Sequence, residues 1–504
     1  MKKISIAVIA LCAFTFVGCD DEDYLVLPEP VDEINPVVDN TVYTSGEADF
    51  STFVSVGNSL TAGYSDGALF TSGQESSFPN ILATQFALAG GGAFSQPLMS
   101  DDLGGLLLGG NQIAENRFYL NFDPVNGPGP VRLGGTPTTE VSTVLSGPFN
   151  NMGVPGAKSY HLGFSGYGNV GGIGAYANPY YVRMATSPGA TVMGDVMAQS
   201  PTFFSLWIGN NDVLSYALAG GDGVDQLGNY VAATYGGNDI SDPLVFAGVY
   251  AELLQALTSG GAKGVVATLP NVTTIPYFTT VPHNSIPLDA ATAGMLNQAF
   301  AAYNGGLQFV VDNTPYLTQE EADRRMISFK EGLNPVLILD ENLTDLTEVN
   351  SDLTNMRQAT EADLLVLPAM SFLGTLVGGN PQLINGVSVP LVDKWVLTPE
   401  EQDQVNTAQI AYNESIKALA TQHGLALFDA ASLLTTLIDT GITQNGITTT
   451  GVFATGGGFS LDGVHPSPRG YAILANGMIE AINTTYQSNL PNVDVGDYKG
   501  VYIQ

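Results

Sequence analysis

The chain has 504 residues and a formal net charge of −33, because 48 Asp and Glu residues outnumber 15 Lys and Arg residues. Hydrophobic residues make up 44% of the chain and charged residues only 12%, which excludes a highly charged disordered protein. Nucleic acid and anionic lipid headgroups are excluded as main partners, because phosphate binding needs clustered Lys and Arg. The length allows three domains or one large α/β domain with insertions.

The N-terminus has the pattern of a secretory signal peptide. A basic start, Met1 to Lys3, precedes an apolar run of 14 residues from Ile4 to Val17. A spanning helix needs about 20 apolar residues, so this run is too short to cross a bilayer. It ends in Phe16-Val17-Gly18-Cys19, which resembles a bacterial lipobox. We predict a lipoprotein signal peptide over residues 1–18 and lipidation of Cys19; the alternative is an ordinary cleaved signal with an incidental cysteine.

Cysteine usage and the acidic segment that follows agree with this interpretation. The two cysteines are Cys12, in the predicted signal peptide, and Cys19, so the mature chain has no disulfide framework. Residues 20–49 hold ten acidic and no basic residues, with prolines between them, and predict an acidic tether over 19–50. We expect a protein of a Gram-negative cell envelope, held by its lipid at the outer membrane or cell surface. An Asp directly after the cysteine also fits retention at the inner membrane.

Four short apolar runs predict strands, over residues 51–56, 202–208, 264–269 and 425–428. Each is bounded by a turn signal such as Gly57, Gly209 or Pro270, as buried parallel strands are. Between the first two, residues 65–147 are rich in glycine and irregular, and we interpret them as an insertion.

Three helices alternate with these strands. Asp242 with Pro243 predicts a helix that runs to about Ser259. Thr398-Pro399-Glu400-Glu401 matches a capping box, and Ser467-Pro468 opens a third helix. Their apolar faces are formed by Val405, Ala408, Tyr412, Ile416 and Leu419 in the second helix, and by Tyr471, Leu474, Ala475, Met478 and Ile482 in the third. The alternation predicts an α/β fold with a parallel sheet covered on both faces.

Two segments share the pattern Asn-x₄-Ala-Tyr-Asn, at Asn297 to Asn304 and at Asn406 to Asn413. This is either a weak internal repeat or, as we favour, the mark of two similar sheet-packing helices. The segment between them, about 312–395, is then a second insertion.

Four short blocks carry residues suited to acyl transfer. Asn58-Ser59-Leu60 follows the first strand, where a Ser at a strand-to-helix turn is well placed to attack. The loop Asn151 to Ala157 contains Gly153 and offers a backbone N–H, and Gly209-Asn210-Asn211-Asp212 follows the second strand. Asp462-Gly463-Val464-His465-Pro466 holds an Asp and a His three residues apart.

The ordered set of blocks resembles the SGNH hydrolase family, also called GDSL lipases and acylhydrolases. The family's Gly-Asp-Ser-Leu matches Gly57-Asn58-Ser59-Leu60, with Asn58 where the family usually has Asp. Its second-block glycine matches Gly153, its Gly-x-Asn-Asp matches residues 209–212, and its Asp-x-x-His matches 462–465. The resemblance implies a three-layer α/β/α domain over 51–486 with flavodoxin-like strand order, followed by a C-terminal tail over 487–504.

The resemblance also implies a role for each matching residue. Ser59 is the nucleophile, His465 its base, and Asp462 the group that orients the imidazole. The N–H groups of Ser59 and Gly153 and the side chain of Asn211 form the oxyanion hole. No metal and no cofactor is needed. The substrate class is an ester of a lipid, an acylated glycan or another small molecule.

Other readings of these residues stay open. Ser59 and Asn211 could each be a helix cap, and Asp462 and His465 could be a pair on a surface loop. The protein could then be a non-catalytic surface lipoprotein that binds glycan or a partner protein. His161 is the other candidate for the pocket. Gly166 to Gly171 fits a dinucleotide fingerprint, but no apolar strand precedes it, so we interpret it as a glycine-rich loop. The acidic residues at 222, 225, 239 and 242 lack the ordered ligand spacing of a calcium site, so we interpret them as part of a solvated loop.

Overall fold

The computed structural model describes residues 41–124 and 127–503. The predicted signal peptide (1–18), the lipidation site at Cys19 and the tether as far as residue 40 lie outside the described residues. The chain divides into two units, 1–42 and 43–504, and the second unit contains the sheet and the helices of the fold.

The centre of the fold is a five-stranded sheet in which every neighbouring pair is parallel. Its strands are, in chain order, β1 (Phe53–Gly57), β2 (Asn151–Gly153), β3 (Phe203–Trp207), β4 (Lys263–Ala267) and β5 (Ala426–Phe428). The spatial order is β2-β1-β3-β4-β5, which is compatible with a flavodoxin-like layout. The four strands predicted from apolar runs are confirmed. The loop predicted at Asn151 to Ala157 instead begins with the edge strand β2, which pairs through Ser55 opposite Asn151.

Eight helices pack near the sheet, position the site residues or form a second small core. They are α1 (Ser59–Ala62), α2 (Phe78–Ala87), α3 (Asn211–Leu218), α4 (Pro243–Thr258), α5 (Ala290–Asn313), α6 (Pro399–His423), α7 (Ala430–Asp439) and α8 (Pro468–Tyr486). The three predicted helix starts are confirmed: Asp242 caps α4, Thr398 and Glu401 form a capping box at α6, and Ser467 caps α8.

Helices cover the sheet, and its strands are therefore buried at nearly every position. α8 contacts β4, β5 and α2, whereas α6 contacts α3 and α4. The predicted inward residues of α8 are all buried, and those of α6 are buried except for the partly buried Leu419. None of the helices in the described part of the chain is long and apolar enough to cross a membrane.

Short elements fill the connections. The antiparallel strand pairs are Leu106–Leu108 with Asn111–Ala114, Phe118–Asp123 with Gly127–Arg132, Ile286–Leu288 with Gly332–Asn334, Leu337–Leu339 with Met356–Gln358, Leu364–Leu365 with Val396–Leu397, and Ile442–Gln444 with Ile447–Thr449. The short α-helices are Thr71–Glu75, Pro179–Val182, Val192–Met197, Pro276–Thr279, Gln319–Arg325 and Ala369–Phe372. The 3₁₀ turns are Ser159–Gly163, Val170–Gly172, Ala232–Thr234, Val272–Thr274, Val377–Gly379, Asp393–Trp395 and Val495–Asp497.

The helix α5 does not belong to the sheet layer that its sequence pattern predicts. Its buried residues, among them Phe300, Tyr303 and Leu307, form a second hydrophobic cluster with Leu337 and Leu353. The prediction of two similar sheet-packing helices is therefore wrong for the first of them. The predicted second insertion starts within a region that has its own small core.

The packed region is wider than residues 51–486. Ala48 and Phe50, assigned to the tether by the sequence, are buried in the main cluster, and Phe50 stacks on Phe86 with ring centroids 4.0 Å apart. Leu490 and Val495 from the predicted tail are also buried there. The domain therefore begins before residue 51 and includes the first part of the tail.

Candidate active site

Two of the predicted site residues, Ser59 and Asn211, lie at the carboxyl ends of the neighbouring strands β1 and β3. Ser59 is the first residue of α1, directly after β1, and Asn211 is the first residue of α3, after β3. The strand order reverses between β1 and β3, and the crevice at such a switch point is where open parallel sheets bind ligands. Gly209 makes the turn before α3 with a φ of 118°, a left-handed conformation that side chains disfavour.

Ser59, His465 and Asp462 form a continuous hydrogen-bonded chain. The Ser59 Oγ lies 2.9 Å from His465 Nε2, and His465 Nδ1 lies 2.8 Å from Asp462 Oδ2. Because an ionised carboxylate only accepts hydrogen bonds, Nδ1 carries the proton and Nε2 is free to accept one from the serine. Ser59 is 7% exposed, so the hydroxyl is sheltered but still reaches the cavity described below.

The Asp462 carboxylate is held by donors on both oxygens. Oδ1 accepts from the backbone N–H of Val464 and of His465, each at 2.8 Å, and from Ser460 Oγ at 3.0 Å. Oδ2 accepts from Gly67 N–H at 2.9 Å besides the imidazole. Burial raises the pKa of Asp462, but the His465 charge and these hydrogen bonds outweigh it and lower the pKa to about 2. The carboxylate therefore stays ionised at neutral pH.

Residues that the sequence analysis missed fix the position of His465. Ser460 and Gly67 orient the carboxylate, and the Tyr64 ring packs on the imidazole with centroids 4.6 Å apart. The segment around Tyr64 is tied back to the histidine loop by Ser65 Oγ, which donates to Pro466 O at 3.1 Å. The serine at 460, two residues before Asp462, is a signal that the sequence offered; Gly67 offered none, because it acts through its backbone.

A second buried carboxyl group adjoins this loop. Asp66 is 1% exposed, its Oδ1 accepts from Leu461 N–H at 2.9 Å, and its Oδ2 has no hydrogen-bond partner. Burial raises the pKa of Asp66 to about 7, and the nearby Asp462 charge acts in the same direction.

Of the two predicted oxyanion groups outside the serine, the structure brings only Asn211 to the site. Asn211 lines the same cavity as Ser59, and its Nδ2 donates to Ala157 O at 2.9 Å, which leaves the second amide hydrogen available. The Gly153 N–H instead donates to Asn151 Oδ1 at 3.0 Å. Gly153 lies so close to Ala62 that a side chain would overlap its backbone, which explains the glycine by packing rather than by catalysis.

The remaining polar residues of the blocks hold the two strand ends together. Asn58 Oδ1 accepts from Leu60 N–H at 3.0 Å, and its Nδ2 donates to Asn210 Oδ1 at 3.1 Å. The buried Asp212 accepts from the N–H and the hydroxyl of Ser159, at 2.9 and 2.8 Å. Asn58 thus forms both the helix cap and a hydrogen bond between the two strand ends. A carboxylate in its place could accept the cap hydrogen bond from Leu60 but could not donate one to Asn210 Oδ1.

An apolar cavity of about 100 Å³ opens beside Ser59 and His465. Its walls come from the end of β3, from α7 and α8, and from the turn after β4. The apolar lining includes Trp207, Val272, Leu433, Leu434, Leu437 and Ile473. This lining fits an apolar group of several carbons next to the serine.

The competing sequence candidates lie elsewhere. His161 lines another cavity with Tyr160 and Tyr167, and burial together with the Lys158 charge lowers its pKa to about 4. Residues 166–171 lead into a 3₁₀ turn and not into a helix after a strand, as a dinucleotide site requires. Asp239 and Asp242 accept backbone N–H groups, such as those of Val224 and Leu244, which accounts for both as loop and cap residues.

Comparison with known proteins gives no relative for this chain: no family model, no curated protein and no solved structure matches it. The geometry of the site and the four sequence blocks are therefore the observations that bear on function.

Proposed function

We propose that the protein is a serine ester hydrolase of the SGNH type, with a three-layer α/β/α fold, held in the cell envelope by a lipid on Cys19. The observation that carries the proposal is the hydrogen-bonded chain from Ser59 Oγ through His465 to Asp462. An isolated serine hydroxyl is a weak nucleophile, and a histidine base held by a carboxylate is the arrangement that activates it.

The reaction begins when Ser59 Oγ attacks the ester carbonyl carbon and His465 Nε2 takes the hydroxyl proton. Asp462 keeps Nδ1 protonated and stabilises the imidazolium that forms. The negative charge that develops on the carbonyl oxygen meets the Ser59 N–H and the free amide hydrogen of Asn211. Since the Gly153 N–H is engaged with Asn151, we leave it out of the proposed oxyanion hole.

The imidazolium then gives its proton to the leaving alcohol, and an acyl-enzyme remains on Ser59. His465 takes a proton from a water molecule that attacks this ester, and the carboxylic acid leaves as Ser59 is reprotonated. The apolar cavity supports an ester with an aliphatic chain over one with only an acetyl group on a sugar.

Ester hydrolysis by matched variants tests this proposal. The protein is expected to hydrolyse p-nitrophenyl esters, and Ser59→Ala and His465→Ala are expected to lose nearly all activity while keeping the wild-type melting temperature within a few degrees. Ser100→Ala, at an exposed serine outside the site, is the control and should retain activity. Absence of turnover in the folded wild type across the ester panel would favour the non-catalytic binding protein instead.

A further inference from the structure

A group of three carboxylates lies apart from the serine site and forms no ion pair with any Lys, Arg or His of the described residues. This acidic cluster consists of Glu341, Asp393 and Glu401, each of which offers a carboxylate oxygen within 4.8 Å of the others. The three residues come from different segments: a turn after a short strand, a 3₁₀ turn and the start of α6. Tertiary folding, and not sequence spacing, brings them together.

Glu401 gives the strongest indication that something is bound here. It is 2% exposed, and its Oε2 accepts from the backbone N–H and the hydroxyl of Thr398 at 2.6 and 2.8 Å. Its other oxygen, Oε1, is buried and has no hydrogen-bond donor, and the same is true of Asp393 Oδ1. Buried carboxylate oxygens normally have a donor, a counter-charge or a metal ion, because an uncompensated charge in the interior is costly.

Within the described residues, none of the five ion pairs involves the cluster. Arg357 pairs with Asp340 and Asp363, and the Lys394 ammonium lies 5.2 Å from the ring centroid of Trp395. The three carboxylates lie within 4.8 Å of one another and therefore repel when ionised, and a bound cation would remove the repulsion.

The backbone is also shaped to bring the cluster under a loop. Gly220 and Gly221 follow α3 in left-handed conformations, with φ of 68° and 90°. A side chain at Gly221 would overlap Glu401 Oε1, and one at Gly220 would overlap the Asp393 carbonyl. Glycine is therefore required at both positions for the loop to close over the carboxylates.

We propose that the acidic cluster is a calcium site that ties the segment containing Glu341 to the 3₁₀ turn that begins at Asp393 and to α6. Two oxygens bound to one Ca²⁺ at 2.3–2.6 Å are at most about 5 Å apart, which the observed spacing satisfies. All three ligands are carboxylates, which suit a hard cation and not the softer metals that select His or Cys. Calcium accepts irregular oxygen sets completed by water, whereas magnesium requires a near-ideal octahedron. The exposed Glu341 leaves one side open to water.

The site is structural and separate from the proposed ester hydrolysis. A bound ion stabilises the folded state by mass action, since the unfolded chain does not hold the three carboxylates together. With a net charge of −33, the chain also attracts calcium without a specific site, so the test must separate the two effects.

The experiment compares calcium binding and melting in the purified full chain and in variants with the same change of charge. Glu341→Gln and Glu401→Gln remove ligands, and Glu331→Gln, at another exposed acid, is the matched control. Equilibrium dialysis with radioactive calcium should give one bound ion per chain that Glu341→Gln lacks and Glu331→Gln keeps. At millimolar calcium, measured against EDTA at equal ionic strength, the melting temperature of the wild type should rise by about 2–5 °C, and that of the two ligand variants by much less.

Glu341 is exposed, so its variant should fold normally even where Glu401→Gln disturbs the capping box. Equal calcium stoichiometry and equal melting shifts in the wild type and Glu341→Gln would overturn the proposal. A shift of the same size with magnesium would overturn the assignment to calcium.

Discussion

Replacing Asp462 with asparagine tests how the site holds the proton on His465. In the wild type, Oδ1 accepts three hydrogen bonds and Oδ2 accepts from Gly67 N–H and His465 Nδ1. An asparagine keeps its carbonyl oxygen where three donors converge, so its NH₂ group takes the Oδ2 position. That group faces the Gly67 N–H, and it donates to Nδ1 where the carboxylate accepted.

The imidazole must then carry its proton on Nε2, which points at Ser59 and can no longer accept the hydroxyl proton. We expect kcat to fall by about 10⁴-fold, or about 5.4 kcal/mol of transition-state stabilisation. Because the Gly67 N–H would then face another donor and lose its hydrogen bond, the free energy of unfolding should also fall by about 1–3 kcal/mol.

The assay measures kcat on a p-nitrophenyl ester together with the melting temperature. Asp289→Asn, at the cap of α5 and away from the site, is the matched control and should keep the wild-type kcat. An Asp462→Asn enzyme that stays folded and retains kcat within tenfold of wild type would refute the assigned role of the carboxylate.

Four further predictions address the oxyanion hole, a buried acid, the cavity and the anchor. Asn211→Ala should lower kcat by about 10²–10³-fold, with a loss of only ~1 kcal/mol in stability from the hydrogen bond to Ala157 O; a variant that melts early but turns over normally would show that Asn211 only holds that carbonyl. Burial in the folded protein raises the pKa of Asp66 to about 7, so between about pH 4 and pH 7 the folded protein keeps a proton on Asp66 that the unfolded chain releases. The contribution of Asp66 to the free energy of unfolding should therefore fall as pH rises through this range. Asp66→Asn should flatten this part of the profile of melting temperature against pH, and an unchanged slope would assign the pH dependence to other groups. Leu433→Trp should occupy the apolar cavity and lower kcat/KM for an octanoate ester roughly tenfold relative to the acetate; equal losses on both esters would argue against the cavity as the chain site. Cys19→Ala should abolish incorporation of radioactive palmitate in cells, and equal labelling of wild type and variant would exclude this cysteine as the anchor.

The sequence predicted the elements whose signals are local. The strands β1, β3, β4 and β5 are apolar runs closed by turn residues. The caps at Asp242, Thr398 and Ser467 each depend on residues two or three positions apart. The edge strand β2 could not be predicted from its sequence, because it has only three residues, one of them polar, and it forms by pairing with β1.

Two segments with the same residue pattern pack against different parts of the protein. The shared Asn-x₄-Ala-Tyr-Asn pattern in α5 and α6 suggested similar packing, but Tyr303 lies in the second cluster and Tyr412 in the main one. The same pattern of side chains can thus pack against different partners, since the periodicity marks a buried face and not what covers it.

In the candidate site, too, some groups can be identified from their residue type, whereas others are positioned only by the fold. Ser59, Asp462, His465 and Asn211 could be selected because their residue types carry chemistry in recognisable blocks. The Gly67 N–H lies far from Asp462 in sequence and has no side chain to reveal its role, and the contact of Gly153 N–H with Asn151 depends on local backbone geometry. The acidic cluster likewise joins residues 341, 393 and 401 through loop closure, which no sequence spacing encodes.

The most direct test of the central proposal is the site of covalent labelling by a fluorophosphonate, which reacts with activated serines. We predict that the intact wild-type protein gains one phosphonyl group, that peptide mass spectrometry locates it on Ser59, and that both Ser59→Ala and His465→Ala remain unlabelled. A folded wild type that stays unlabelled, or a label on another residue that persists in Ser59→Ala, would contradict the proposed mechanism.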